Sequence, residues 1–215
     1  MAAIDTAIRT LDALIASLEG PSGLPPGGSA AAQPPGAAAP ALGLEVGEAF
    51  TKAHLVVGRV LSAAPVEGSD KLYLCSVDVG EDKPRQVVTG LRKFVAQEVL
   101  STAHVVVILN LKPAKLAGHV SEAMILAAES SAVDGAVRVT LLAPPSGAAP
   151  GERVVTPAGP PAVAPPKECK SAAWATVKSA LRVEGGRACL GAHPLSCGTA
   201  GFVTVPGVPD GASIG

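Results

Sequence analysis

Apolar positions along this chain change their spacing several times, and each change marks a different kind of element. Met1, Ile4, Ile8, Leu11, Ile15 and Leu18 recur at three- and four-residue steps, the stripe of an amphipathic helix with apolar side chains at heptad a and d positions. Ile at a and Leu at d suit a parallel two-stranded coil. At about two and a half heptads the run is short for a free-standing helix, so it reads equally well as a helix docked on another surface. From Gly20 to Gly43 the pattern stops. Half of those 24 residues are Pro or Gly and most of the others Ala; nothing there builds a core, and the segment reads as a flexible, partly extended linker.

After the linker the period shortens. Leu55–Leu61, Leu72–Val79, Arg85–Thr89, Val105–Asn110, Glu122–Ala128 and Val137–Leu142 are short runs rich in β-branched residues, separated by Gly, Pro and Asp turns. Such a succession predicts a small barrel or sandwich. Leu91–Leu100 is the best candidate for a helix within it. Pro157 to Pro166 holds five prolines in ten residues and marks a second, stiffer boundary. Beyond it Lys170–Ala180 predicts a short helix around Trp174, followed by Gly-rich, strand-like pieces. That tail is too small for a large core of its own, so it is expected to pack on the barrel.

Composition narrows the functional classes. With only three Phe, one Trp and one Tyr, any core is built from Val, Leu, Ile and Ala. The apolar runs, Val105 to Leu109 among them, fall far short of the roughly 20 residues of a membrane helix, and the N-terminus has no basic stretch ahead of an apolar one. The expectation is a cytoplasmic protein without a membrane partner. Met1 directly before the heptad run reads as a native start rather than a detached tail. The net charge of −1 is uneven: −4 over residues 1–50, +1 over 51–156 and +2 over 157–215. Nucleic-acid binders usually carry a larger excess, so any polyanion contact here rests on where the bases cluster.

One cluster stands out. Val105 to Leu109 leads into Asn110-Leu111-Lys112-Pro113-Ala114-Lys115-Leu116-Ala117-Gly118, and then Ser121-Glu122-Ala123-Met124. The proline restricts the backbone and the glycine permits a sharp reversal, so two ammonium groups three residues apart are presented from one turn. That is a phosphate-sized contact, although a plain solvated turn has the same appearance. Arg85 with Arg92-Lys93 forms a second basic group, unless Arg85 pairs with Glu81-Asp82. Cys189, His193 and Cys197 offer three metal-type side chains at atypical spacing; buried or free thiols are the simpler reading, and no metal or cofactor is expected. His54 and His104 flank strand-like runs as surface or cap residues. There is no nucleophile elbow, no phosphate-binding Gly-rich loop with Lys-Ser/Thr, and no HExxH. An enzyme is not expected.

The order of these motifs is itself informative. Val57-Gly58-Arg59-Val60, Asp70-Lys71-Leu72-Tyr73, Val77-Asp78-Val79-Gly80-Glu81 and Pro84-Arg85-Gln86-Val87-Val88-Thr89-Gly90-Leu91 precede the lysine turn; Leu142-Ala143-Pro144-Pro145, Gly147 and Pro150-Gly151 follow it. This succession, about 100 residues long, resembles the tRNA-binding domain shared by bacterial stand-alone tRNA-binding proteins, appendices of methionyl- and tyrosyl-tRNA synthetases, and endothelial monocyte-activating polypeptide II. Trp174, Glu184 to Leu190, Gly201-Phe202-Val203 and Ser213-Ile214-Gly215 resemble the polypeptide II form more loosely. Ala64-Pro65 departs from a His-Pro in relatives, and Ala117 from an Arg that many carry before the glycine.

The resemblance implies an all-β protein: a five-stranded OB-fold barrel with a small appended C-terminal β-rich domain and a short N-terminal helix. The organisation expected is a helix over 1–18, a linker over 19–49, the tRNA-binding barrel over 50–156 and a polypeptide II-like domain over 157–215. In relatives that appended domain mimics the second subunit of the bacterial dimers. The resemblance also implies an RNA-contacting surface of Asn110, Lys112, Lys115, Ser121 and Met124, with Arg85, Arg92 and Lys93 as the further basic group. Met124 reads equally as an apolar platform or as core. The function implied is that of a non-catalytic tRNA-binding cofactor or scaffold for aminoacyl-tRNA synthetases, methionyl or tyrosyl in type, within a multisynthetase complex. Residues 1–18 would bind a coiled-coil partner. A scaffold or cytokine-like signalling protein with weakened RNA binding is the alternative.

Overall fold

A computed structural model describes residues 43–131, 135–157, 164–198 and 200–215. The helix expected over 1–18 and most of the linker lie outside the described residues. The first described element is a helix, α1 (Leu44–Lys52), which spans the boundary expected between residues 49 and 50. Its sequence explains it: Ala49 and Phe50 fall on one face and are buried, with Val46 packed beside them, while Glu45 and Lys52 sit at the ends that suit the helix dipole.

The barrel follows. It is built from β1 (Leu55–Pro65), β2 (Tyr73–Asp78), β3 (Arg85–Thr89), β4 (His104–Ile108) and β7 (Met124–Ile125), in the antiparallel order β3-β2-β1-β4-β7. β1 is longer than its apolar run because its first half, Leu55 to Arg59, pairs with β4 and its second half, from Arg59 on, pairs with β2, with a bulge in the β2 ladder between Val60 and Ser62. Gly58 lies where β1 is most crowded; a Cβ there would come within 2.8 Å of Val107 and 2.9 Å of Val77. A hairpin of β5 (Ala114–Leu116) and β6 (His119–Ser121) precedes β7. The open edge of β3 meets the chain at 120–122, where the Glu122 N–H donates to the Gln86 carbonyl at 2.9 Å. The result is a nearly closed five-stranded barrel of the OB type, with one short helix.

That helix, α2 (Gln97–Leu100), is shorter than the Leu91–Leu100 expected from sequence. Leu91 and Leu100 both enter the barrel core, and the chain between them first makes a turn over residues 92–94. The Tyr73 hydroxyl donates to the Val95 carbonyl, which fixes the end of that turn.

The tail is joined to the barrel by one sheet. β8 (Ala127–Ser131) and β9 (Val137–Leu141) extend through β16 (Ser213–Ile214), β11 (Leu181–Glu184) and β12 (Arg187–Leu190) to β13 (His193–Pro194). β10 (Val154–Val155), β14 (Ser196–Cys197) and β15 (Gly201–Phe202) form a second small sheet. A helix, α3 (Ser171–Ala180), matches the expected Lys170–Ala180 within one residue and packs near α1.

Two cores result, and β1 and β4 serve both. Val56, Val105, Val107 and Leu109 face the barrel interior with Val77, Val87 and Leu100. Leu55, Val57, Val106 and Ile108 face outward into a core shared with Phe50, Val177, Leu181, Leu190, Leu195 and Ile214. Strands buried on both faces lose polar alternation and read as continuous apolar runs. Val105–Leu109 is such a run because the tail covers the outer face of the barrel.

Candidate nucleic-acid interface

The lysine segment forms the β5–β6 hairpin. Ala114 pairs with Ser121, Lys115 with Val120 and Leu116 with His119, leaving Ala117-Gly118 as a two-residue turn. Both turn residues have positive φ, 45° and 86°, which is the geometry that matches strand twist in such hairpins. Lys112 and Lys115 are exposed, so both ammonium groups are open to a ligand.

Other predicted contacts turn inward. Asn110 is only 7% exposed; its Oδ1 accepts the His54 N–H at 2.9 Å, and its Nδ2 donates to the Lys52 and Pro166 carbonyls at 2.8 and 2.9 Å. It ties α1, β4 and the chain before α3 together. Ser121, 8% exposed, accepts the Val88 N–H at 2.9 Å and donates to the Ala123 carbonyl at 2.9 Å, so it fastens the hairpin to β3. A buried polar group whose hydrogen bonds are all made within the fold has none to offer an RNA without breaking them.

The second basic group divides as well. Arg85 forms a bidentate pair with Glu81, Nε to Oε2 at 2.8 Å and Nη2 to Oε1 at 2.6 Å, and Nη1 reaches the Leu109 carbonyl at 3.1 Å. Of its two readings, the structure shows the pairing with Glu81. That pairing holds the Glu81 carboxyl below its ordinary value. Arg92 donates to the Ser69 carbonyl, while Lys93 is exposed. His54 is half-buried, and burial, then Arg153 and Arg85, push its pKa below the ordinary imidazole value, with Glu81 opposing. Arg153 Nη2, a buried nitrogen, has no hydrogen-bond partner among the described residues.

Beneath the hairpin is a cleft of about 450 Å³. Lys112, Leu116, Met124, Phe94, Thr89 at the end of β3 with Gly90 and Leu91 just after it, and Lys178 of α3 all line it. Met124 is half-buried there, between its two expected roles. Phe94, Leu116 and Lys178 were not singled out from sequence. A Phe in a turn next to Arg92-Lys93 was a usable signal; Lys178, more than fifty residues from the hairpin, offered none.

Cys75, Cys169, Cys189 and Cys197 are free and buried. Burial pushes the Cys75 thiol up to about 12 and Cys197 up to about 11, far from the range of a reactive thiolate. Among the described residues no three His, Cys, Asp or Glu side chains come together as a metal site, and no helix is long and apolar enough to cross a membrane.

A nearly closed antiparallel barrel with a lysine hairpin over a mixed cleft has the architecture of the OB-type barrels, which bind oligonucleotides and oligosaccharides. Residues 55–153 match the family model described as a putative tRNA binding domain. The chain is 45% identical over 95 residues to a methionine–tRNA ligase of Methanosarcina acetivorans and 48% identical over 84 residues to methionine–tRNA ligase 1 of Bacillus cereus. The matches cover 44% and 39% of this chain but 13% of either ligase. The crystal structure of the C-terminal domain of Plasmodium vivax p43 superposes with a TM-score of 0.69 at 28% identity, covering 77% of this chain and 98% of that one. That coverage exceeds the family match, so the likeness extends into the appended tail.

Proposed function

We propose that this chain is a non-catalytic tRNA-binding protein that acts beside an aminoacyl-tRNA synthetase, recognising tRNA by backbone shape rather than by sequence. The observation that carries the reading is the pair of exposed lysines, Lys112 just ahead of the β5–β6 hairpin and Lys115 within it, on a barrel that matches the tRNA-binding family. Lys112 and Lys115 neutralise phosphates, and Lys93 adds a cation near the turn after β3. Because Arg85 is held by Glu81 and the net charge is near zero, affinity is modest and the salt slope is set by only a few phosphate contacts. The heptad stripe over 1–18 is the partner-binding element, through a synthetase of methionyl or tyrosyl type within a multisynthetase complex in the cytoplasm. The linker keeps captured tRNA at high local concentration near that partner.

Filter binding of bulk tRNA across a salt series tests the RNA half. Changing Lys112 and Lys115 together to Ala is expected to weaken binding for all tRNAs alike and to flatten the salt slope by roughly two. An unchanged slope removes the hairpin from the interface. Ile8→Asp with Leu11→Asp tests the other half: partner binding or self-association is lost and tRNA affinity is retained. A second reading, a scaffold or signalling protein with weakened RNA binding, is favoured by Ala117, which leaves the hairpin tip without a cation.

A further inference from the structure

The lysine hairpin accounts for phosphate contact but not for the cleft beneath it. Phe94, 44% exposed, and Leu116, 40% exposed, both line that cleft, with the half-buried Met124 between them in character. Exposed aromatic surface is costly in a chain with five aromatic residues, and this Phe sits on a turn held by the Phe94 and Val95 N–H groups donating to the Leu91 carbonyl at 2.9 Å. The charges are balanced: Lys112 and Lys178 stand against Glu122 and Glu129. Glu122 already accepts the Gln86 N–H at 3.0 Å.

Such a surface is a poor match for a duplex backbone. A phosphodiester ridge is convex and anionic, and it gains nothing from an apolar recess without net positive charge. A flat, weakly polar ring gains both burial and stacking on an aromatic face, and single-stranded RNA binders use such platforms. The volume is within the range of small-ligand sites; it holds a nucleotide, not a helix. Lysines from two distant parts of the chain suit phosphates on the two sides of an inserted base, and the hairpin makes the cleft continuous with the proposed tRNA-contacting face.

We propose that the cleft takes an unpaired nucleobase of the bound RNA, stacked on Phe94 and packed against Leu116 and Met124, with the flanking phosphates paired to Lys112 and Lys178. This rests on the tRNA-binding reading and deepens it. The duplex parts of the RNA are held by the hairpin, and one looped-out nucleotide is held by the cleft. Lys178 comes from the tail, so the site is composite and the tail takes part in binding.

Fluorescence anisotropy on the full chain tests this with three RNAs of about 12 nucleotides, a length within the span of one OB fold: a mixed-sequence single strand, the same strand with central abasic positions, and a duplex. The wild type is expected to prefer the intact single strand. Phe94→Ala lowers that affinity roughly tenfold and abolishes the difference between intact and abasic strands, while Phe94→Tyr preserves both. Lys178→Ala lowers the salt slope by about one. Equal binding of intact and abasic strands by the wild type, or an equal loss on all three RNAs in Phe94→Ala, overturns the proposal. So does displacement of RNA by an uncharged apolar peptide without any dependence on the base. If these tests fail while Lys112→Ala with Lys115→Ala still weakens tRNA binding, the cleft assignment falls and the tRNA-binding reading stands. If no RNA binds at any salt concentration, both fall.

Discussion

At the scale of single residues, the polar side chains beside the lysines belong to the framework. Asn110 supplies three hydrogen bonds to parts of the chain more than fifty residues away, and the neighbouring His54 is pressed between burial and two guanidinium groups. The sign of its effect on stability follows. The folded protein holds this imidazole below its ordinary value of 6.5, so the unfolded chain takes up the proton first as the pH falls. Stability present above that value is lost as the pH drops below it and levels off once the folded His54 is itself protonated. Glu81 acts in a separate window, below its ordinary value of 4.5, and weakly, because it is exposed. Denaturant midpoints taken between about pH 8 and pH 5 are expected to fall for the wild type and to fall less for His54→Gln. Equal slopes in the two proteins would show that His54 does not govern that window.

At the scale of elements, the hairpin is where sequence reading worked and where it stopped. Proline followed by glycine between apolar runs predicted a reversal, and β5 and β6 meet at that reversal. What remained hidden was the direction of each side chain. With period-two alternation, Ser121 falls on the face that meets β3, whereas Lys115 and Val120 pair on the other. Ala117 occupies a left-handed position at the tip and is exposed. Ala117→Arg is therefore expected to raise tRNA affinity and to steepen the salt dependence by about one, with little change in thermal midpoint. The same salt titration checks it; no gain in slope would mean that the tip points away from the RNA. α2 carries the converse lesson. Helical spacing from Leu91 to Leu100 was real, but anchoring both leucines in the barrel core leaves room for only a turn and a single helical turn.

At the scale of the whole molecule, the tail shares a core with the outer face of the barrel rather than forming a separate body. Leu55, Val57, Val106 and Ile108 are buried by Leu181, Leu190 and Ile214, and β16 continues the sheet of β8 and β9. Removing residues 167–215 would bare those faces and the edge of β8, leaving a large apolar patch and an open strand. The truncated chain is expected to associate or aggregate in light scattering, while the protein that retains the tail does not do so through this face. A monodisperse, monomeric truncation would show that the contacts contribute little.

Local chemistry was enough for the runs of strand, the reversal at the lysines, α3 and the family likeness, because periodicity, turn residues and motif order are written in neighbouring positions. Pairing was not written there. That Arg85 closes on Glu81 rather than standing free, that Asn110 and Ser121 spend their hydrogen bonds inside the fold, and that Phe94, Met124, Leu116 and Lys178 share one cleft all depend on chain segments brought together from far apart. The doubly apolar run of β4 shows the division most clearly. Its composition announced a strand, and only the tertiary structure supplied the second buried face and the tail that covers it.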